Sequence, residues 1–536
     1  MSSAELKAQG NTLFTAKKFK EAGKKYTEAI QAGDEVADPE GLAVLYANRA
    51  ACRLSLKRYM DAHDDAKKAT KLDPTYAKAW ARLASADDAM GNYPTSEDYW
   101  KHALDALPKS NLTPAEETQK AQYQAGLDAA MLNTANMKST PIVGKEAVIV
   151  HDSQGRMPWD RAATIVDTLR VQRPVDVTSS AWVIHGAYEE FMEGVQKMKE
   201  LTLNHATKEM RGRPGAVAAL TNGLLRDIRV MHFTDNEFIS RYNKQMEVEQ
   251  YVYKPWAEAG PEVVIKEALA RQRSQGWDSV RGSISLTVRA WIMRAVMDGG
   301  LRQRHDIAVE FYKRALDVLR SLRETWILAP KDDRGAVFEQ SFMFGIQNHY
   351  LDEMMQSYSH NPDSELLEEL FKEADRLIRE VDEALRQPQS QEQVDPGFIS
   401  SFYVYPRGAG FSMRGMYYNR KAMASPNDKR ELHRKSALEY LKAAECFPQD
   451  DEKHPWFLNI ALGNMFASHL FPLRETLDVM KKIRLSVPVA KKIWGFSSLS
   501  ASGLWRILEG VGRQEDKLRG MLSQGKTTMS SFVGME

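Results

Sequence analysis

Apolar and small residues recur every three to four positions along most of this chain. That spacing places them on one face of an α-helix. HDIAVEFYKRALDVLRSL and SELLEELFKEADRLIREVDEAL are two such stretches. Runs of alternating strand-like residues are lacking beyond residue 180, so the pattern predicts an all-α fold. Within the first 108 residues the pattern also repeats. Gly10, Ala22, Tyr26 and Ala29 are followed at identical offsets by Ala50, Ala62, Ala66 and Ala69, then by Ala84, Ser96, Trp100 and Ala103. Three helix-turn-helix units therefore share one register. The small residues let the two helices of each unit approach closely, and the aromatic position fills the gap to the next unit.

The step from Ala50 to Ala84 is 34 residues, the period of tetratricopeptide repeats. The first step is longer, and the polar loop from Asp34 to Pro39 absorbs the excess. Pro74 and Pro108 follow the second and third units, where a proline stops a helix. Thr113-Pro114-Ala115-Glu116-Glu117 then reads as a helix start, with cap, first-turn proline and first-turn acids. That helix should run to about Met137 and close the stack, which makes 1–137 the first domain. Residues 138–180 read as a connector, with AVIVHDSQGRMPWD as loop or short strand. Residues 181–536 read as a larger helical, repeat-like body. Ala308, Tyr312 and Ala315, and again Ala437, Leu441 and Ala444, echo the second-helix spacing of the first unit. A loop-rich break is expected near 387–410, where QPQSQEQVDPG precedes the glycine-rich FYVYPRGAGFSMRGMYYNR.

Five polar residues stand at matching places on the first helices of the three units: Lys7, Asn11, Asn48, Lys78 and Arg82. Lys7 and Asn11 are four apart, as are Lys78 and Arg82, so each pair shares a helix face. In a stacked solenoid the first helices line the concave surface. Three cations and two amides would converge there, and charge-assisted bonds to a carboxylate are the strong kind. A lysine or arginine on a helix ordinarily marks a solvated face; five types in one register point further. Residues 1–108 hold 16 Lys+Arg and 16 Asp+Glu, so any basic groove is local.

LKAQGN, YANRAA and YAKAWARLA make residues 4–108 resemble the three-unit tetratricopeptide domain of co-chaperones of the seventy- and ninety-kilodalton heat-shock proteins. The resemblance implies that the five residues form a two-carboxylate clamp for a chaperone C-terminal tail ending Glu-Glu-Val-Asp. It covers about a fifth of the chain.

Charge and composition exclude more than they identify. A net charge of +1 gives no general attraction to nucleic acid or to an anionic membrane. Two distant cysteines, Cys52 and Cys446, form no zinc set and fit a reducing compartment. No leader peptide and no run of about 18 apolar residues is present, so a cytoplasmic location is expected. Arg407-Gly408-Ala409-Gly410-Phe411 lacks the third glycine of a dinucleotide fingerprint, and His349 with His360 makes at most an isolated pair. No phosphate loop, catalytic motif or cofactor signature accompanies them. The expected function is that of a non-enzymatic adaptor: the clamp holds a heat-shock chaperone and the body holds a client or complex. The alternatives are an enzyme with a chaperone-docking appendage and a scaffold for other acidic C-termini.

Overall fold

The computed structural model describes residues 1–35, 37–139, 155–172, 177–204, 209–386 and 395–532. Its helices are, in order, α1 (Ser3–Thr15), α2 (Phe19–Gln31), α3 (Pro39–Ser55), α4 (Tyr59–Leu72), α5 (Ala77–Met90), α6 (Tyr93–Asp105), α7 (Pro114–Ser139) and α8 (Pro158–Val171). There follow α9 (Ser180–Lys199), α10 (Ala216–Arg226), α11 (Phe238–Tyr253), α12 (Pro261–Gln275), α13 (Trp277–Val296), α14 (His305–Thr325), α15 (Lys331–Arg334) and α16 (Gln340–His360). The last are α17 (Ser364–Arg386), α18 (Gly397–Ile399), α19 (Tyr405–Ala424), α20 (Lys429–Glu445), α21 (Lys453–Ser468), α22 (Leu473–Trp494), α23 (Ser498–Ala501) and α24 (Leu504–Ser523). Among the described residues one antiparallel pair of three-residue strands, Thr202–Asn204 with Glu209–Arg211, is the whole of the sheet. The fold is all-α. No described helix is long and apolar enough to cross a membrane.

The chain divides into two compact units. The first comprises the described part of Met1–Glu146 with Trp256–Val280 and Gly300–Gln303. Its helices α1 to α6 form the three repeats and α7 closes them. All twelve register residues are buried, including Ser96 and Trp100. Gly10 and Gly126 are there for closeness: a β-carbon on either would come within 2.6 Å of the Tyr26 or Trp100 ring. Ser2 and Glu5 form a capping box that starts α1, and Asp38 caps α3 ahead of Pro39.

Trp256–Val280 falls in the body on the sequence pattern but packs with the repeats in this unit. The contact is polar. Asp64 on α4 accepts from the Gly260 backbone N–H at the start of α12. Arg53 on α3 bridges Asp65 (2.9 Å) and Glu262 of α12 (2.6 Å). Burial pushes the Asp64 carboxyl up to about 6, although the Gly260 N–H opposes the rise. An unfolded aspartate titrates near 3.9, so between the two values the folded chain binds more protons and this contribution to stability falls as pH rises. Asp64→Asn is therefore expected to stabilise the protein by about 1 kcal/mol near pH 7.5 and to change nothing near pH 4. Chemical denaturation at both pH values measures this; an effect independent of pH would mean that the Asp64 charge is not the cause.

The second unit contains α8 to α11, α13 from Arg281 on, and α14 to α24. Residues 158–171, assigned to the connector, are helical: Pro158 takes the first helical position and Trp159 and Val166 are buried. Residues 140–154 of the connector lie outside the described residues, as do 387–394 of the expected break. The rest of that break, 397–410, is not loop. Gly397–Ile399, the π-turn Ser400–Val404 and α19 run on continuously. The glycines of this stretch serve contact, not turning. A β-carbon at Gly408 would meet Phe447 and Cys446, at Gly410 Ile378, and at Gly415 Tyr440. The repeat echo in α14 is buried at Ala308, Tyr312 and Ala315. In α20 the register differs by one residue: Leu441 is only half-buried, whereas Ser436, Tyr440 and Ala443 are buried and Tyr440 packs on Gly415 as Tyr26 packs on Gly10.

A buried ionic network joins several elements of this unit. Arg229 bonds Asp227 (2.7 Å) and Asp451 (2.9 and 3.0 Å), lies 3.4 Å from Glu452, and stacks 3.6 Å from the Trp494 ring centre. Tyr405 donates to Asp451 (2.9 Å) and Ser497 to Glu452. Burial pushes Glu452 up to about 7, while Arg229 outweighs burial and holds Asp451 below the usual carboxylate range.

Candidate functional site: the repeat groove

The first helices of the three units lie side by side. Asn11 of α1 and Asn48 of α3 touch, with the Asn48 amide nitrogen 3.4 Å from Asn11 Oδ1. The Tyr26 hydroxyl also donates to Asn11 Oδ1, at 2.8 Å. The Asn11 oxygen is thus used twice, and among the described residues no hydrogen bond of its NH2 is seen. Burial pushes Tyr26 up to about 12, so its hydroxyl stays protonated as a donor. Tyr26 was read from the sequence as a packing residue. Its hydroxyl holds the Asn11 amide, and a tyrosine at the aromatic repeat position opposite an asparagine is the signal that could have revealed it.

Arg82 of α5 faces α3 and α7. Its charge favours the ionised forms of Cys52, Tyr76 and Tyr123, and burial outweighs it at each. The Cys52 thiol is thereby pushed up to about 11 and is inert as a nucleophile. Tyr76 and Tyr123 thus lie within electrostatic reach of Arg82, and periodicity alone did not single them out. Lys7 is half-buried and Lys78 is exposed. The structure brings Asn11 and Asn48 into contact; no bond joins Lys7, Lys78 or Arg82 directly to that pair among the described residues.

The pairing of the arginines separates these residues from ordinary surface charge. The repeats carry four. Arg49 forms a bidentate pair with Asp65 (2.9 and 2.7 Å) and also reaches Thr27. Arg53 bridges Asp65 and Glu262, and Arg58 pairs with Asp61 (2.8 Å). Arg82 has no acidic partner among the described residues, and neither has Lys7 or Lys78. Three cations on the first helices, which also carry the two amides, thus have no acidic partner among the described residues, in a stretch (1–108) with no net charge. Such a set can accept carboxylates through charge-assisted bonds.

The other candidates have structural places. His349 bonds the Leu224 carbonyl at 2.9 Å and His360 packs, tilted, against His305, so the two histidines do not meet as ligands. Arg407 lies within α19 and pairs with Asp382 at 2.6 Å. Cys446 is a buried free thiol beside Arg407.

No family model matches the chain. It is 35% identical over 123 residues to "Heat shock protein STI1" of Saccharomyces cerevisiae, covering 22% of this chain and 20% of that one. It is 34% identical over 160 residues to "Hsp70-Hsp90 organizing protein" of Triticum aestivum, covering 30% and 25%. The matched part thus spans a fifth to a quarter of these relatives' length. Among solved structures, "First TPR of Spaghetti (RPAP3) bound to HSP90 peptide SRMEEVD" is 26% identical, covering 24% of this chain and 96% of that one, with a TM-score of 0.20. At that score the likeness says nothing of the fold, which rests on the helices above. The N-terminal repeats are thus similar to a part of these heat-shock and Hsp70-Hsp90 organizing proteins.

Proposed function

We propose that this protein is a cytoplasmic adaptor or co-chaperone. Lys7, Asn11, Asn48, Lys78 and Arg82 hold the two terminal carboxylates of a heat-shock chaperone tail ending Glu-Glu-Val-Asp, and the helical second unit engages a client or complex without catalysis. The observation that carries the reading is Arg82, the arginine of the repeats that meets no carboxylate among the described residues. The relatives' names, which tie the matched region to heat-shock chaperones, support it.

The test is calorimetric titration of the full chain with a peptide ending Glu-Glu-Val-Asp, as free acid and as C-terminal amide. Amidation removes one of the two terminal charges, and a charged hydrogen bond is worth about 1.5–3 kcal/mol, so binding should weaken about tenfold to a hundredfold. Equal affinities for acid and amide would rule out the clamp. Equal affinity for an unrelated acidic tail would leave a general acceptor of acidic C-termini.

A further inference from the structure

The charge of this chain is unevenly placed. The net charge is +1, yet residues 473–526, which span α22 to α24, carry 11 Lys+Arg against 5 Asp+Glu, so the remainder is net negative. Neighbouring elements do not cancel the excess. The helix α21 packs on both α22 and α24 and has no acidic residue. The helix α8 packs on α22 and has two acids and two arginines. The segments that continue from Gly155 and from Phe532, 140–154 and 533–536, hold one lysine and three acids by sequence, too few to offset it.

The excess is also arrayed. Arg484 pairs with Glu515 (3.1 Å) and Lys491 with Glu509 (2.5 Å), so α22 and α24 lie antiparallel. With Lys482–Asp478 and Arg519–Glu515, these pairs occupy three of the five acids. Lys481, Lys492, Arg506, Arg513 and Lys517 are exposed and have no ion pair among the described residues. Lys481, Leu485, Val489 and Lys492 are spaced to share one face of α22, and Arg506, Arg513 and Lys517 to share one face of α24. Leu485 is 49% exposed and Val489 37%. Two aliphatic side chains thus stand in the open between two lysines.

These features select among negatively charged partners. A partner helix is held in an apolar groove, and single-stranded nucleic acid stacks on exposed rings. The two rows stand on the outer sides of their helices, and the rings of this region are taken: Trp505 is buried and Arg161 lies over Phe496 at 4.9 Å. A lipid surface needs neither groove nor ring. Basic side chains reach its headgroups, and aliphatic ones among them enter the boundary beneath. We propose that the outer face of α22 and α24 docks peripherally on an anionic membrane, with Lys481, Lys492, Arg506, Arg513 and Lys517 on the headgroups and Leu485 and Val489 entering between them. The face stands apart from the repeat groove and does not depend on what the groove holds.

The test is co-sedimentation of the full chain with vesicles of phosphatidylcholine alone and of phosphatidylcholine with phosphatidylserine. The chain should bind only the serine-containing vesicles, and less as salt is raised. A lysine near such a surface is worth about a factor of five, so Lys481→Glu/Lys492→Glu should weaken binding about thirtyfold or more. Leu485→Ser should weaken it about fivefold, which separates lipid entry from charge alone. Melting temperatures should hold, since all three side chains are exposed. Lys20→Glu/Lys24→Glu on α2 changes net charge equally at exposed sites and should bind as the unaltered chain does, as should Lys78→Ala/Arg82→Ala. Absence of binding, equal binding to both vesicles, or equal loss in the α2 variant would overturn the proposal. So would a labelled polyglutamate that binds the chain through Lys481 and Lys492 when vesicles do not, for then the face takes an acidic polypeptide.

Discussion

Replacing Lys78 and Arg82 together by alanine is expected to weaken binding of a Glu-Glu-Val-Asp peptide about a hundredfold or more while leaving the fold intact. Each side chain would supply a charged bond to a terminal carboxylate, worth about 1.5 kcal/mol or more, and about 1.4 kcal/mol is a factor of ten. Folding should be indifferent, because neither side chain has an acidic partner among the described residues and Lys78 is exposed. Arg53→Ala is the contrasting control. Arg53 is buried between Asp65 and Glu262, so its loss leaves Asp65 with Arg49 alone and should lower the melting temperature with little direct effect on the peptide. The clamp reading fails if the double variant melts early and still binds, for then these residues would be structural.

In the second unit, Arg229→Met is expected to cost about 3–5 kcal/mol, the usual range when one partner of a buried ion pair is removed. Asp227, Asp451 and Glu452 would keep their burial and lose the guanidinium. Methionine preserves much of the stem, so the loss is one of charge and hydrogen bonding more than of volume. The network joins Asp227 and Arg229, which follow α10, to Tyr405 on α19, Asp451 and Glu452 ahead of α21, and Trp494 at the end of α22. Urea unfolding followed by tryptophan fluorescence measures the change. An unaltered midpoint would show that the carboxylates can be left buried without their cation.

Both substitutions turn on a distinction that composition cannot make. Arg49, Arg53, Arg58 and Arg82 are one residue type on neighbouring helices. Asp61 and Asp65 on α4 and Glu262 on α12 neutralise the first three, and the last lies more than two hundred positions along the chain. Only the folded chain assigns partners, and among the described residues Arg82 is the one left without an acidic partner.

Much of the rest was legible because its cause is local. Small residues four and three apart must stand where helices cross, so the twelve register positions predicted the repeats, and each is buried. The proline after Thr113 and the acids behind it placed the start of α7. The five candidate residues could be picked out because the same register that packs one face of a helix fixes what its other face presents. What stayed hidden depends on a partner distant in sequence. Gly408 and Gly410 fell in the expected loop-rich break, since glycine is both flexible and small. Phe447 and Ile378 lie against them in the fold, so smallness is the property used. Ala437 and Ala444 offered a repeat spacing as good as that of Ser436 and Ala443, and all four are buried; Tyr440 seated on Gly415 chooses between them. The sequence by itself determined which helices form and which residues the repeats present. The tertiary structure decided which charges are spent on the chain and which remain for something else, because a charge is neutralised by proximity, and proximity between distant residues exists only after folding.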